Sequence, residues 1–142
     1  MIVSGTGKST VLKHVKLLLE EKRRANQWFD FVVGSFTALA AYQLRGTTLH
    51  SAFGIPLYQT DQKLEKALKR IPTEDQLQRL RAIKFILIDE IGMLGKRLAI
   101  FIDNRMRQAD VRNSHRPFGG RSVLLAGDYS QLTPVCKNKL DI

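Results

Sequence analysis

Between Ser9 and about Ala25, Val11, Leu12, Val15, Leu18 and Leu19 recur at three- and four-residue steps, with Lys13, Lys16, Glu20 and Glu21 on the other side. This spacing predicts an amphipathic helix. From Phe29 to Val33 the pattern becomes a continuous apolar run, which suits a strand covered on both faces, and Thr37 stands where it would cap a short alanine-rich helix. "RGTTLHSAFGIP" reads as a glycine turn and a small helical piece stopped by Pro56. "QKLEKALKRI" and "EDQLQRLRAI", divided by Pro72 and Thr73, carry leucines at helical steps and read as two surface helices. On them Lys66, Lys69, Arg70, Arg79 and Arg81 read as a solvated face. "KFILIDE" is a second continuous apolar run, ending in two acids. Leu98, Phe101, Ile102 and Met106 mark another helix, "RNSHRPFGGR" a loop, and "SVLLAGD" a further buried strand. Strands alternating with helices predict an α/β fold with a mainly parallel sheet.

Composition narrows the class of partner. The 142 residues are 44% hydrophobic and 25% charged, which suits one domain with a buried core. Lysine and arginine number 23 against 13 acids, a formal net charge of +10. Such a balance points to a polyanion, and to nucleic acid ahead of a membrane surface, because no basic amphipathic helix or lipidation motif stands out. The plainer alternative is a basic segment separated from an acidic remainder. No apolar run approaches the roughly 18 residues that span a bilayer, so no membrane partner is expected. Cys136 is the only cysteine, which excludes an intrachain disulfide and leaves no disulfide partner. An intracellular location is the expectation, the nucleus ahead of the mitochondrion in a eukaryote. His14, His50 and His115 are too dispersed for a zinc cluster.

The opening "MIVSGTGKST" changes the picture most. Gly7, Lys8 and Ser9 match the end of the phosphate loop G-x-x-x-x-G-K-[ST], whereas Ile2 stands where its first glycine belongs. Unpaired N–H groups and the helix dipole favour negative charge at a helix start. Gly5, Thr6, Gly7, Lys8, Ser9 and Thr10 would supply that cradle, with Lys8 reaching the β- and γ-phosphates and the Ser9 hydroxyl ligating Mg²⁺. Alone, such a loop is equally read as a plain turn. Its partner is the acid pair after Phe85 to Ile88, because acids at the carboxyl end of a parallel strand face the crevice where ligands bind. Asp89 is suited to hold the magnesium and Glu90 to take the proton of an attacking water. The plain alternative is that the two acids only favour a helix start. Gln131, just past the last strand, can donate to a γ-phosphate oxygen and accept from a water, or be a surface amide. In order, these three elements make an ATP site, with Mg-ATP as the cofactor.

"GTGKST", "TTLHSAFGIP", "LIDEIGML" and "RPFGGRSVLLAGDYSQLTPV" resemble, in that order and over nearly the whole chain, the first motor domain of the Pif-type superfamily 1 DNA helicases, the group that includes the Helitron helicases. The resemblance implies a RecA-like P-loop domain in which the loop, the acid pair and the glutamine are motifs I, II and III. It also implies ATP-driven 5′-to-3′ translocation and unwinding by the whole helicase on single-stranded or forked DNA. By position, Thr37, Gly46, Thr47, Thr48, His50 and Ser51 would lie on or near the DNA path, where such groups fix phosphate and sugar without reading sequence. Phe53 is left between stacking on a base and packing in the core, and His50 between a DNA contact and a structural hydrogen bond. Ile2 and Val3 replace glycines and Gly92 replaces a serine usual in the family. The family's second RecA-like domain, which supplies arginine fingers worth about 10³–10⁵ in rate, has no counterpart here. The expectation is therefore a partial domain, short of its first strand and its C-terminal part, that hydrolyses ATP slowly and does not unwind DNA alone, with Ser122 to Ala126 as an open edge. The alternatives are a non-catalytic nucleic-acid-binding remnant and a different P-loop enzyme such as a nucleotide kinase.

Overall fold

The computed structural model describes residues 7–56 and 60–127. In chain order these build α1 (Lys8–Ala25), β1 (Asp30–Ser35), α2 (Ala38–Gln43), β2 (Thr47–Thr48), α3 (Leu49–Phe53), α4 (Asp61–Lys69), α5 (Glu74–Ala82), β3 (Ile83–Ile88), α6 (Lys96–Ala109) and β4 (Ser122–Leu125). Short 3₁₀ turns fill Ile91–Met93, Val111–Asn113 and Pro117–Gly120. The strands form one parallel sheet in the order β2-β1-β3-β4. Its register sets Val33 beside Leu87, Gly34 beside Ile88, and Ile88 beside Leu125. The predicted α/β class is the observed one; only the two-residue β2, too short to leave a hydropathy signature, was not foreseen.

Helix boundaries follow from side-chain chemistry. Thr37, Thr48, Thr60 and Thr73 each accept a hydrogen bond from a backbone N–H of the first turn of α2, α3, α4 and α5. Thr73 and Gln76 do so reciprocally, closing a capping box. Such caps contribute about 1 kcal/mol each and explain why helices this short begin where they do.

Because successive strand residues point to opposite faces, the continuous apolar runs split between two cores. Ile86 and Ile88 join Leu49, Phe53, Leu64, Leu80, Phe101, Ile102 and Met106 under α3 to α6. Leu87 joins Leu12, Val33, Leu44 and Ala126 under α1. Leu64 and Leu80 thus anchor the helices predicted as surface elements, while their other faces stay in water. Phe53 is 2% exposed and belongs to the core, which closes the base-stacking alternative. The predicted inner face of α1 is corrected as well. Leu12 and Leu19 are buried, but Val11 and Leu18 are exposed, since the stripe that meets the sheet is narrower than the apolar set. β4 is likewise less covered than a fully buried strand, with Ser122 exposed and Val123 to Leu125 only partly buried. Among the described residues β4 stands at the end of the strand order; residues 1–3, on which the expectation of an open edge at Ser122 to Ala126 turned, lie outside them.

Candidate functional site

The carboxyl ends of β1, β3 and β4 meet the start of α1, and the foreseen Gly7 to Thr10, Asp89 and Glu90 collect there. Helix α1 begins at Lys8 after Gly7, whose φ of 78° lies in the left-handed region that glycine adopts without strain. It has no capping side chain and no acid in its first turn, in contrast to α4 and α5, which have both. The first-turn N–H groups of an α-helix have no intrahelical partner, so an uncapped, acid-free start presents donors and a positive dipole end to an anion. Ser9 and Thr10 are exposed on that turn.

The Lys8 ammonium donates to Asp89 Oδ1 at 2.8 Å, across 81 residues of sequence. Both side chains are largely withdrawn from water, at 19% and 10% exposure. The candidate phosphate-binding lysine and the candidate metal carboxylate are therefore neighbours, and their pairing is one that a nucleotide phosphate and a cation could exchange into. The donor set present fits magnesium: one carboxylate and the Ser9 hydroxyl are hard oxygen donors, and Mg²⁺ commonly takes one or two such ligands and completes its shell with phosphate and water. Among the described residues no group of three or more His, Cys, Asp or Glu side chains could hold a metal by itself.

Asp89 and Glu90 diverge because the backbone turns sharply between them. Asp89 N–H still extends the sheet, donating to Gly34 O at 3.0 Å. Glu90 has left-handed φ and ψ of 60° and 48°, a conformation that costs a non-glycine residue free energy and recurs at functional sites. Its own N–H donates to Asp89 Oδ1 at 2.8 Å. The turn is pinned from the far side, where Ile91 N–H donates to Ala126 O at 3.0 Å. Gly127 lies against it so closely that a Cβ there would sit 2.7 Å from Ile91 N. The start of the third motif and the acid pair are thus one backbone unit. Gly92, the departure from the family's serine, is buried in the 3₁₀ turn that follows.

Glu90 is held from β1. Ser35 Oγ, fully buried, donates to Glu90 Oε2 at 2.8 Å, and Thr37 Oγ1 donates to the same oxygen at 3.4 Å. Ser35 was missed in the sequence. The signal that could have found it is positional: a small polar residue closing an apolar strand, in a parallel sheet whose neighbouring strand ends in acids. Thr37, expected on the DNA path, also caps α2 and so links that path to Glu90.

The remaining residues expected on a DNA path lie along the same edge, continuing through β2 into α3. Thr47 and Thr48 pair with Gly34 and Ser35. Gly46 is required by packing, because a Cβ would strike the Val33 carbonyl. Thr48 caps α3, and Ser51 is exposed on it. His50 meets Phe36 edge-on at 6.1 Å, and burial pushes its imidazole below the usual histidine range. The Lys16 ammonium ties the segment to α1, donating to the carbonyls of Leu44 and Arg45 at 2.7 and 2.8 Å. Gly5, Thr6 and Gln131 fall outside the described residues, as do Ile2 and Val3.

Comparison with known proteins agrees with this arrangement. The family model described as PIF1-like helicase matches residues 2–140. The chain is 37% identical over 137 residues to the ATP-dependent DNA helicase PIF1 of Saccharomyces cerevisiae, covering 95% of this chain and 15% of the yeast protein. It is 35% identical to the Danio rerio PIF1 helicase over 96% of this chain and 20% of that protein. It is similar in structure to the Pif1 helicase from Bacteroides in complex with ADP-AlF3 and single-stranded DNA, with a TM-score of 0.73, 32% identity, and coverage of 99% of this chain and 30% of that one. The Pif1 helicase from Candida albicans gives a TM-score of 0.72 at 30% identity, over 96% and 30% of the two chains. The chain thus spans about a sixth of the yeast relative and under a third of the matched structures. Four parallel strands flanked by helices, the loop lysine paired with the strand-end acid, and a family match along nearly its whole length show that the chain belongs to the PIF1-like helicases.

Proposed function

We propose that this chain is the Mg-ATP-binding and hydrolysing half of a DNA helicase motor, with the Thr37 to Ser51 segment lying along single-stranded DNA. The observation that carries the proposal is the 2.8 Å pair between Lys8 and Asp89, which joins the uncapped helix start to the acid pair. Lys8 and the first-turn N–H groups would hold the β- and γ-phosphates, and Ser9 and Asp89 would hold Mg²⁺, which would offset phosphate charge. Glu90 is the candidate base for the attacking water. Its tie to Ser35 and Thr37 offers the route by which a strand bound over α2 and β2 changes the position of that base. Gln131, as the γ-phosphate-sensing amide, belongs to the same proposal. Unwinding, which in the family needs a second motor domain, is proposed for the helicase of which this domain is the first half. Single-stranded and forked DNA are its proposed substrates.

The test is Mg-ATP hydrolysis by the purified chain with and without oligo(dT), with Lys8→Ala as the blank. A Lys8-dependent rate that DNA raises supports the proposal. A rate equal to the blank, with DNA still bound in a salt-sensitive way, favours the non-catalytic remnant instead.

A further inference from the structure

The cationic face of α4 and α5, read from the sequence as solvated, is not a convex surface. Together with the end of α3 it walls a concavity of about 860 Å³. Exposed Lys66, Lys69, Arg70 and Arg79 line it, Phe53, Leu80 and Ile83 contribute apolar floor, and no Asp or Glu does. Of the acids on the same helices, Asp61 pairs with Arg97 and Glu74 with Arg81 at 2.9 Å, and Asp75 does not line the concavity. Glu65 pairs with Lys69 at 2.7 Å, which leaves Lys66, Arg70 and Arg79 as the larger part of the charge. Beneath them Arg105 is buried, and its guanidinium donates to Ala67 O at 2.9 Å and to Arg70 O at 3.4 Å. Those bonds fix the end of α4 and add positive charge under the concavity. Desolvation there lowers the Arg105 pKa from the ordinary arginine value.

The lip of this concavity is Ser51, on the same short helix that Thr48 caps. A cationic rim over an apolar floor, continuous with a line of hydroxyls, is the chemistry of a groove that follows a nucleic-acid backbone without reading bases. We propose that the concavity holds the phosphodiester backbone of the bound strand beyond Ser51, lengthening the footprint of the domain. This rests on the assignment of Thr47 to Ser51 to the strand path. The chain's charge of +10 favours a polyanion, and continuity with that path favours nucleic acid over an acidic protein segment.

The experiment is fluorescence anisotropy of the 142-residue chain with oligo(dT) of about 6 and about 20 nucleotides, spanning typical single-strand footprints of roughly 4–16, over a salt series. The test variant is Lys66→Gln/Arg70→Gln/Arg79→Gln, and the control Lys13→Gln/Arg24→Gln/Arg112→Gln removes equal charge elsewhere. On the long oligonucleotide the test variant should lose about tenfold in affinity and flatten the log K against log salt slope by about 2, at roughly 0.7 per phosphate. The short one should bind unchanged, and the control should bind both as the parent does. Equal losses from both triple variants would reduce the effect to net charge and overturn the proposal. Unchanged binding by the test variant, with Thr48→Val/Ser51→Ala weakening it, would overturn the concavity alone. No salt-sensitive binding by the parent chain would overturn the strand path with it. Loss of binding to a polyglutamate peptide with DNA binding intact would assign the surface to acidic proteins and also overturn the proposal. Thermal melts check folding, and Arg79→Glu alone repeats the test should the triple variant unfold.

Discussion

Two buried ion pairs stand at opposite edges of the sheet, and they differ in what else holds them. At the carboxyl edge Lys8 meets Asp89 at 2.8 Å, and among the described residues this is the one bond of its ammonium. At the amino edge Arg121 meets Asp110 at 3.1 Å, and the same guanidinium donates to the carbonyls of Ile83 at 3.0 Å, Gly119 at 2.6 Å and Arg81 at 3.5 Å. Hydrogen bonds from Asn113 and then the Arg121 charge hold the Asp110 carboxyl below its ordinary value. A cation satisfied by backbone carbonyls is part of the frame. A cation satisfied by one side chain on a crevice wall can change partner when a ligand offers a better one. Burial and charge alone do not separate the two, but the identity of the acceptors does.

The largest expected effect lies at the exchangeable edge. Glu90→Gln preserves shape and keeps an oxygen to accept from Ser35, but it cannot take a proton, so turnover should fall about 10²–10⁴-fold. Binding of a fluorescent ATP analogue, measured by titration, should stay within about threefold of the parent. A comparable loss of binding would move Glu90 from proton transfer to nucleotide contact.

Next in size is the contrast between the pairs themselves. Arg121→Met leaves three carbonyls without this donor and Asp110 with Asn113 alone, and should cost about 3–5 kcal/mol in urea unfolding, the range for breaking a buried pair. Lys8→Met should cost only about 1–2 kcal/mol, since the Glu90 N–H still serves Asp89 Oδ1 and the crevice admits water. It should also erase the stabilisation that Mg-ATP is proposed to give the parent chain. Equal costs would remove the distinction drawn here. A smaller effect follows from the anchor of Glu90. Ser35→Ala should lower kcat about tenfold with KM unchanged, as a misplaced base does, while Ser35→Ala/Glu90→Gln should be no slower than Glu90→Gln alone.

The order of elements was legible because continuous apolar runs, helical spacing, the Thr37 cap and the glycine and proline breaks each have a local physical cause, although α3 is stopped by Gly54 and not by Pro56. The loop lysine and the acid pair stood out as candidates because phosphate and metal chemistry favours those residue types, and the hydroxyls near α2 because of the family resemblance. What escaped depends on pairing between distant segments. Ser35 matters only because β1 lies beside β3, and no local pattern marks it. Nothing in the local sequence sets Arg105 or Arg121 apart, yet both are buried by carbonyls that come from other elements. Leu18 errs the other way, since helical period shows which residues share a face but not how wide a stripe the neighbouring sheet covers.

The smallest effect separates the two edges by acidity. Burial lowers the His50 pKa from about 6.5, so the neutral ring belongs to the folded state and the unfolded chain binds the proton more readily. Stability from this source is fully present above about pH 6.5 and declines as the pH falls from there toward the lowered folded value. Asp110 acts in a lower window, where its contribution is present above its ordinary value of 3.8 and is lost as the pH falls through the depressed one. In urea titrations from pH 7.5 to about 3, His50→Asn should flatten only the upper part of the profile and Asp110→Asn only the lower part. A His50→Asn profile that still declines from about pH 6.5 would place the titrating group elsewhere. If Asp110→Asn removed the upper decline instead, the acid-sensitive contact would belong to the amino edge, and the assignment of fixed and exchangeable edges would reverse.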